Sequence, residues 1–145
     1  MHPPAANHLA RIAIVLLRND RDEYFAHRRR TDKRTFPGLF GLGAGGSVEP
    51  GEDPKKGAER ELLEETGIAT TVAPLFEFEF SSPDVRHFVF VHEAYANQMP
   101  GHDASEWEWS GWLSEAEVIE LAESGRLCPD TAEVFSRYRA LRTSR

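Results

Sequence analysis

The stretch Gly45-Gly46-Ser47-Val48-Glu49-Pro50-Gly51-Glu52-Asp53-Pro54-Lys55-Lys56-Gly57-Ala58-Glu59-Arg60-Glu61-Leu62-Leu63-Glu64-Glu65-Thr66-Gly67-Ile68 divides into a loop and a helix. Asp53 suits an N-cap, and Pro54 suits the first helical position, where a missing N–H costs nothing. The helix is expected to run to about Thr66 and to stop at Gly67, a residue that tolerates the left-handed backbone following a helix. Within it, Glu61, Glu64 and Glu65 stand at i, i+3 and i+4, so their carboxylates share one face within about 5–6 Å. Like charges so placed repel and destabilise the helix unless a cation lies between them. Hard divalent cations take carboxylate oxygens, and Mg²⁺ favours near-octahedral geometry with several waters retained. A solvated acidic face is the ordinary reading of clustered glutamates. Here a glycine-rich segment and a loop glutamate precede the helix, and that context favours a metal site.

Working outward, Gly38, Gly41, Gly43, Gly45 and Gly46 crowd the preceding segment. Glycines weaken a strand but let a ligand approach the backbone closely. Ile12–Leu17 reads as a buried strand, Asn19–Asp22 as a turn and Tyr24–His27 as the returning arm of a hairpin. Downstream, Phe76–Phe80 alternates as a half-buried strand, and Phe88–Val91, apolar on both faces, predicts a central strand. Asn97–Ala104 is a loop. Glu106 to Leu113 predicts the last strand, with Trp107 and Trp109 on one face and Glu106 and Glu108 on the other. Ser114-x-x-Glu117 is a capping box for a helix to about Ser124, and a final helix spans about Asp130 to Leu141. The expectation is an α/β fold in one domain, residues 1–145 with a core over about 9–142.

The chain has 145 residues, 17 basic and 24 acidic, for a net charge of −7. That balance argues against general nucleic-acid binding, which needs a basic footprint. A single cysteine, Cys128, excludes an internal disulfide framework and a cysteine zinc cluster. The longest apolar run, Ile12–Leu17, is far short of the roughly 20 residues that span a membrane. Met1–Ala6 lacks the basic and apolar regions of a leader, so a cytoplasmic location is expected. The charge is unevenly spread. Gly45–Gly67 carries seven acids and three bases, whereas Arg28–Arg34 carries five bases and one acid.

The helix and its loop resemble the Nudix box, G-x5-E-x7-R-E-U-x-E-E-x-G-U with U aliphatic. Gly46, Glu52, Arg60, Glu61, Leu62, Glu64, Glu65, Gly67 and Ile68 meet all its defined positions. The resemblance implies a Nudix fold, an α/β/α sandwich with a mixed central sheet and the catalytic helix following a glycine-rich strand. It implies that Glu61, Glu64 and Glu65 bind Mg²⁺ or Mn²⁺, with the carbonyl of Gly45 as a further ligand. Glu52 and Arg60 would form an ion pair that orients the helix, a supporting role that metal sites require. Leu62 and Ile68 would anchor the helix to the core, and Glu59, on another face, is expected to be a solvated acid. The implied reaction is hydrolysis of a diphosphate linkage in a nucleoside diphosphate joined to a further group X. A small diphosphate is the expected partner, and a homodimer is common in the family.

A general base must reach the attacking water. Glu64 is one candidate; Glu106, six residues before Trp112, is the other. Arg28-Arg29-x-x-x-Lys33-x-x-x-Pro37-Gly38 also resembles a segment of a Nudix branch related to isopentenyl diphosphate isomerase. Arginine forks and a lysine suit phosphate oxygens, so Arg28, Arg29 and Lys33 are candidate substrate contacts. Strand alternation predicts that Arg28 and Arg29 do not both face the site. The isomerase needs a cysteine in the strand before the box, and Leu39–Gly46 has none; Cys128 is far along the chain. A catalytically silent nucleotide-binding module is the alternative reading. His27 is a candidate pocket residue, His87 and His92 are expected at solvent ends of a strand, and Phe36 and Phe40 are candidates to stack on a base.

Overall fold

Gly43 is the pivot around which the sheet is built. In the computed structural model, which describes residues 9–83 and 85–143, β1 (Ala10–Arg18) and β2 (Tyr24–Arg29) form the expected hairpin. The arms pair only at Arg18↔Tyr24 and then part. The expected glycine-rich strand is two short ones. β3 (Phe40–Leu42) pairs with β2, and β4 (Ala44–Ser47) pairs with β1 from Ile12↔Ser47 to Val15↔Ala44. Between them Gly43 has φ +64°, and its N–H donates to the Phe25 carbonyl at 2.7 Å. A Cβ there would stand 1.7 Å from the Val15 carbonyl oxygen. Only glycine lets the chain cross from one arm to the other.

On its other side β1 runs parallel to β6 (Arg86–Tyr95), which pairs antiparallel with β5 (Ala73–Ser81). β7 (Trp107–Leu113) pairs with β2, so the seven-stranded sheet is mixed, in the order β3-β2-β1-β6-β5 with β4 on β1 and β7 on β2. One face is covered by α1 (Pro54–Thr66), whose Ala58 and Leu62 are fully buried with Val15, Leu17, Phe25, Val72 and Trp107. The other is covered by α2 (Glu115–Glu123) and α3 (Pro129–Thr143), through Val118, Leu121, Val134 and Phe135 against Leu16, Val89 and Val91. This is the α/β/α sandwich that the resemblance implied. Asp53 accepts the Lys55 N–H, Gly67 closes α1 in the left-handed conformation, and both bonds of the Ser114–Glu117 capping box form.

Several local expectations are corrected. A bulge in β7 opposite Arg28 and Arg29 breaks the alternation. Trp107 packs against Phe25 and His27, whereas Trp109 lies against Phe40 and is 38% exposed. β6 extends beyond the apolar run at both ends, so His92 is buried within it, beside the Ile14 carbonyl. Glu59 is no free surface acid: it pairs with Lys55 at 3.0 Å and accepts the Val72 N–H. The Met1–Ala6 leader reading lies outside the described residues. Among those described, no helix is long and apolar enough to cross a membrane.

Gly43→Ala should destabilise the fold by about 3 kcal/mol, combining a disfavoured φ with overpacking against Val15. Denaturant unfolding measures this; a loss below about 1 kcal/mol would show that the crossing tolerates a side chain.

Candidate active site

The parting of β1 and β2 opens a cavity of about 260 Å³. Its walls come from β1 (Ile12, Ile14), β2 (His27, Arg29), β3 and β4 (Leu42, Gly45, Gly46) and the end of α1 (Glu65). Glu106 and Trp107 stand at the start of β7, and Phe36 in the loop before β3. His27 stacks on Trp107 at 4.5 Å between ring centroids, and burial holds its pKa down to about 3. It is therefore a neutral wall of the cavity.

The Nudix-box acids are organised by Arg60. Its guanidinium forks Glu52, with Nε and Nη2 at 3.0 Å from the two carboxylate oxygens, and Nη2 also donates to the Ser47 carbonyl. Nη1 reaches Glu61 at 2.9 Å and Glu64 at 3.5 Å. The Arg60 hydrogen bonds hold the Glu52 carboxyl down to about 2, so this pair stays charged across the physiological range. Glu61 is the inner member: burial pushes its pKa up against the pull of Arg60. Gly46 makes room for it, since a Cβ there would come within 2.5 Å of the Glu61 carboxylate. That accounts in atoms for the first glycine of the motif.

Glu65 is deeper. Its Oε1 accepts the Gly45 N–H at 3.0 Å. Burial pushes its carboxyl up to about 8, and the negative charges of Glu61, Glu106 and Asp103 add to the rise while the Gly45 bond opposes it. Among the described residues, no three acidic, histidine or cysteine side chains converge closely enough to hold a metal as they stand. Glu61 and Glu64 are turned onto Arg60 and Glu65 onto Gly45. The donors still fit a hard divalent cation: they are all oxygen, two are partly buried carboxyls destabilised as anions, and Glu64, 60% exposed, has room to turn.

The basic segment divides as alternation predicted. Arg29 lines the cavity, with Nε on the Thr35 carbonyl at 2.8 Å. Arg28 does not line it; its guanidinium is held by the Gly38 carbonyl and by Glu108 at 3.2 Å. Lys33 is tied to Glu106 at 2.8 Å. Sequence reasoning missed the far wall. Cys128, Asp130 and Thr131 line the cavity because Phe40 exchanges backbone bonds with Arg126 and Cys128, pinning the entry of α3 to β3. His87, expected at a solvent end, lies there too. No periodicity signals such a contact between distant segments. Burial pushes the Cys128 thiol up to about 12, so it is neutral.

Residues 8–137 match the family model of the NUDIX domain. The chain belongs to the Nudix hydrolase family. It is 31% identical over 131 residues to an uncharacterised Nudix hydrolase of Pseudomonas aeruginosa, covering 90% of this chain and 78% of that one. It is 32% identical over 106 residues to the 8-oxo-dGTP diphosphatase of Escherichia coli, covering 68% of this chain and 77% of that one. Among solved structures, a MutT protein from Methanosarcina mazei superposes with a TM-score of 0.73 at 26% identity, over 90% of this chain and 95% of that one. Nudix hydrolases generally use divalent metals, which agrees with the donor set around Glu61 and Glu65.

A raised carboxyl pKa means that the folded chain holds a proton which the unfolded chain, at an ordinary 4.5, has lost. The Glu65 contribution to stability is full below that value and is lost as pH rises through about 8. His27 acts oppositely: it must stay neutral, so its contribution is lost as pH falls below 6.5. Above pH 6.5 the slope therefore reports Glu65. The melting temperature of the cation-free protein should fall from pH 6.5 to 8.5, with a shallower fall in Glu65→Gln. An unchanged slope in that variant would contradict the assignment.

Proposed function

We propose that this Nudix hydrolase cleaves a diphosphate linkage in a nucleoside diphosphate joined to another group X, by attack of water on phosphorus. The observation that carries this reading is the acidic face of α1. Two of its carboxyls, Glu61 and Glu65, are partly buried and destabilised as anions, and Glu65 lines a cavity that also holds an arginine. Glu61, Glu64 and Glu65, with the Gly45 carbonyl, would hold Mg²⁺ or Mn²⁺. Once bound, such a cation neutralises phosphate oxygens and acidifies a water.

The chain's own groups supply the rest. Arg60 and Glu52 act as positioning residues, fixing the rotation of α1 so that Glu61 and Glu65 present to β4. Arg29, anchored through Nε, directs its terminal nitrogens to phosphate oxygens, which suit its planar fork. Lys33 contributes a second positive charge when Glu106 releases it. Two carboxylates are placed to take the proton of the attacking water. Glu64 is the exposed member of the helix face, and Glu106 lies on the cavity wall near Glu65. Arg28 plays no part in this reading, because Glu108 and the Gly38 carbonyl occupy it.

A panel of nucleoside triphosphates, nucleotide sugars and dinucleoside polyphosphates with Mg²⁺ or Mn²⁺ tests the proposal through release of phosphate or pyrophosphate. At least one substrate should turn over, and Glu64→Gln or Glu65→Gln should lower kcat by about 10²–10⁴-fold, the range lost with a proton-transfer or metal-holding group. The same loss in Glu106→Gln but not Glu64→Gln would make Glu106 the base. No turnover across the panel, or turnover unchanged in both helix variants, overturns the hydrolase reading. Nucleotide binding without turnover and without need for Mg²⁺ would instead indicate a silent binding module.

A further inference from the structure

The face of the sheet opposite α1 carries a second recess, of about 450 Å³, within the size range of small-molecule sites. It is bordered by Arg18 at the end of β1, Asp22 in the turn before β2, Glu115 at the start of α2, and Arg139, Arg142 and Thr143 at the end of α3. None of these residues belongs to the Nudix box. α3 borders both recesses, with Asp130 at the catalytic cavity and Arg142 here, and the helical rise between those positions is about 18 Å.

Three guanidiniums converge on this recess, and each is held without a close carboxylate of its own. Arg18 is fully buried at the floor. It donates to the Asp22 carbonyl at 2.7 Å, the Glu23 carbonyl at 3.2 Å and the Tyr138 hydroxyl at 2.7 Å, and it lies 3.9 Å from the centre of the Tyr24 ring. Those partners are neutral. The carboxylates stand off: Asp22 is 4.0 Å away with its side chain 76% exposed, and Glu93 is reached through the Tyr138 hydroxyl, which donates to it. A buried cation balanced at such a remove leaves positive potential in the recess above it.

Arg139 and Arg142 stand over the rings of Phe135 and Tyr138, at 5.6 and 5.5 Å. Both turn to one carboxylate, Glu115, at 3.7 and 3.5 Å, longer than a charged hydrogen bond. That carboxylate already accepts the Tyr24 hydroxyl at 2.8 Å. A guanidinium has five N–H donors. Among the described residues, one shared acceptor therefore leaves donors of both forks open to a ligand.

We propose that this recess is a second anion site, which takes a phosphate-type oxyanion between Arg139 and Arg142, above Arg18. A tetrahedral oxyanion has enough oxygens to engage two planar forks at once, whereas the two oxygens of Glu115 are already divided among three donors. Glu115 is then a competitor: the anion takes the arginines from it, and it keeps its bond from Tyr24. The recess is larger than one phosphate, so free pyrophosphate and the phosphate end of a nucleotide are two sources of the same group.

Calorimetric titration of the cation-free protein at about 0.15 M salt, where loose surface attraction is screened, tests this without turnover. Pyrophosphate and adenosine monophosphate are titrated in separate arms. The tighter ligand names the source, and equal affinity means that the site reads the phosphate alone. Saturable binding should weaken about tenfold in Arg139→Gln/Arg142→Gln. It should tighten a few-fold in Glu115→Gln, which keeps an acceptor for Tyr24 and removes the competing charge. Arg29→Gln, at the catalytic cavity, should leave it unchanged. No saturable binding of either anion overturns the proposal. So does binding lost in Arg29→Gln, unchanged in a folded double arginine variant, or not tightened in Glu115→Gln. If the double variant does not fold, the other two comparisons decide. Binding here with no nucleotide hydrolysed would sink the hydrolase reading and leave this site standing.

Discussion

One guanidinium keeps the acidic face of α1 intact. Arg60 forks Glu52 and reaches Glu61 and Glu64, so three carboxylates on a loop and a helix share one cation. Exposed ion pairs are commonly worth little, but a bidentate arginine within a network is the geometry in which they count. The fork ties the Glu49–Asp53 loop to the helix, and the Ser47 carbonyl on the same guanidinium ties both to β4. The position of Glu61 against Gly46, and of Glu65 against Gly45, follows from that registration.

Among the described residues, Arg60 does not reach Glu65, whose hydrogen bond is to the Gly45 N–H. Its carboxyl therefore carries the unbalanced part of the site's electrostatics, with a pKa pushed up to about 8. A group in this state stores a demand for positive charge. The phosphates of a substrate would add to the repulsion unless a cation accompanies them. Acidic helix, glycine-lined strand and basic β2 are thus three parts of one arrangement, brought together because β1 and β2 part and β4 fills the space between.

The sequence disclosed the helix in full, because its signals are local. Asp53, Pro54 and Gly67 set its ends, and the carboxylate spacing set its face. It disclosed the Arg28 and Arg29 division through strand alternation. The break at Gly43 was not legible, since five glycines within a short segment look alike until one is seen to pivot between two partners. Alternation misled at Trp109, where a bulge inserts a residue that only the pairing with β2 reveals. The far wall of the cavity was hidden for another reason: Cys128 and Asp130 are brought there by the backbone bonds of Arg126 and Cys128 to Phe40 of β3, some ninety positions earlier, and His87 comes from β6. Cys128, remote in sequence from the box, is thereby a cavity residue, though a neutral one.

The central claim is that the partly buried carboxyls of α1 await a divalent cation, and proton release on cation binding tests it most directly. Calorimetric titration with Mn²⁺ at pH 7, repeated in buffers of different ionisation enthalpy, counts the protons displaced. The account predicts saturable binding with release of ~1 proton, because Glu65 is largely protonated at that pH and must ionise to become a ligand. The release should vanish in Glu65→Gln. Absence of saturable binding, or binding with no proton release from the unaltered protein, would contradict it.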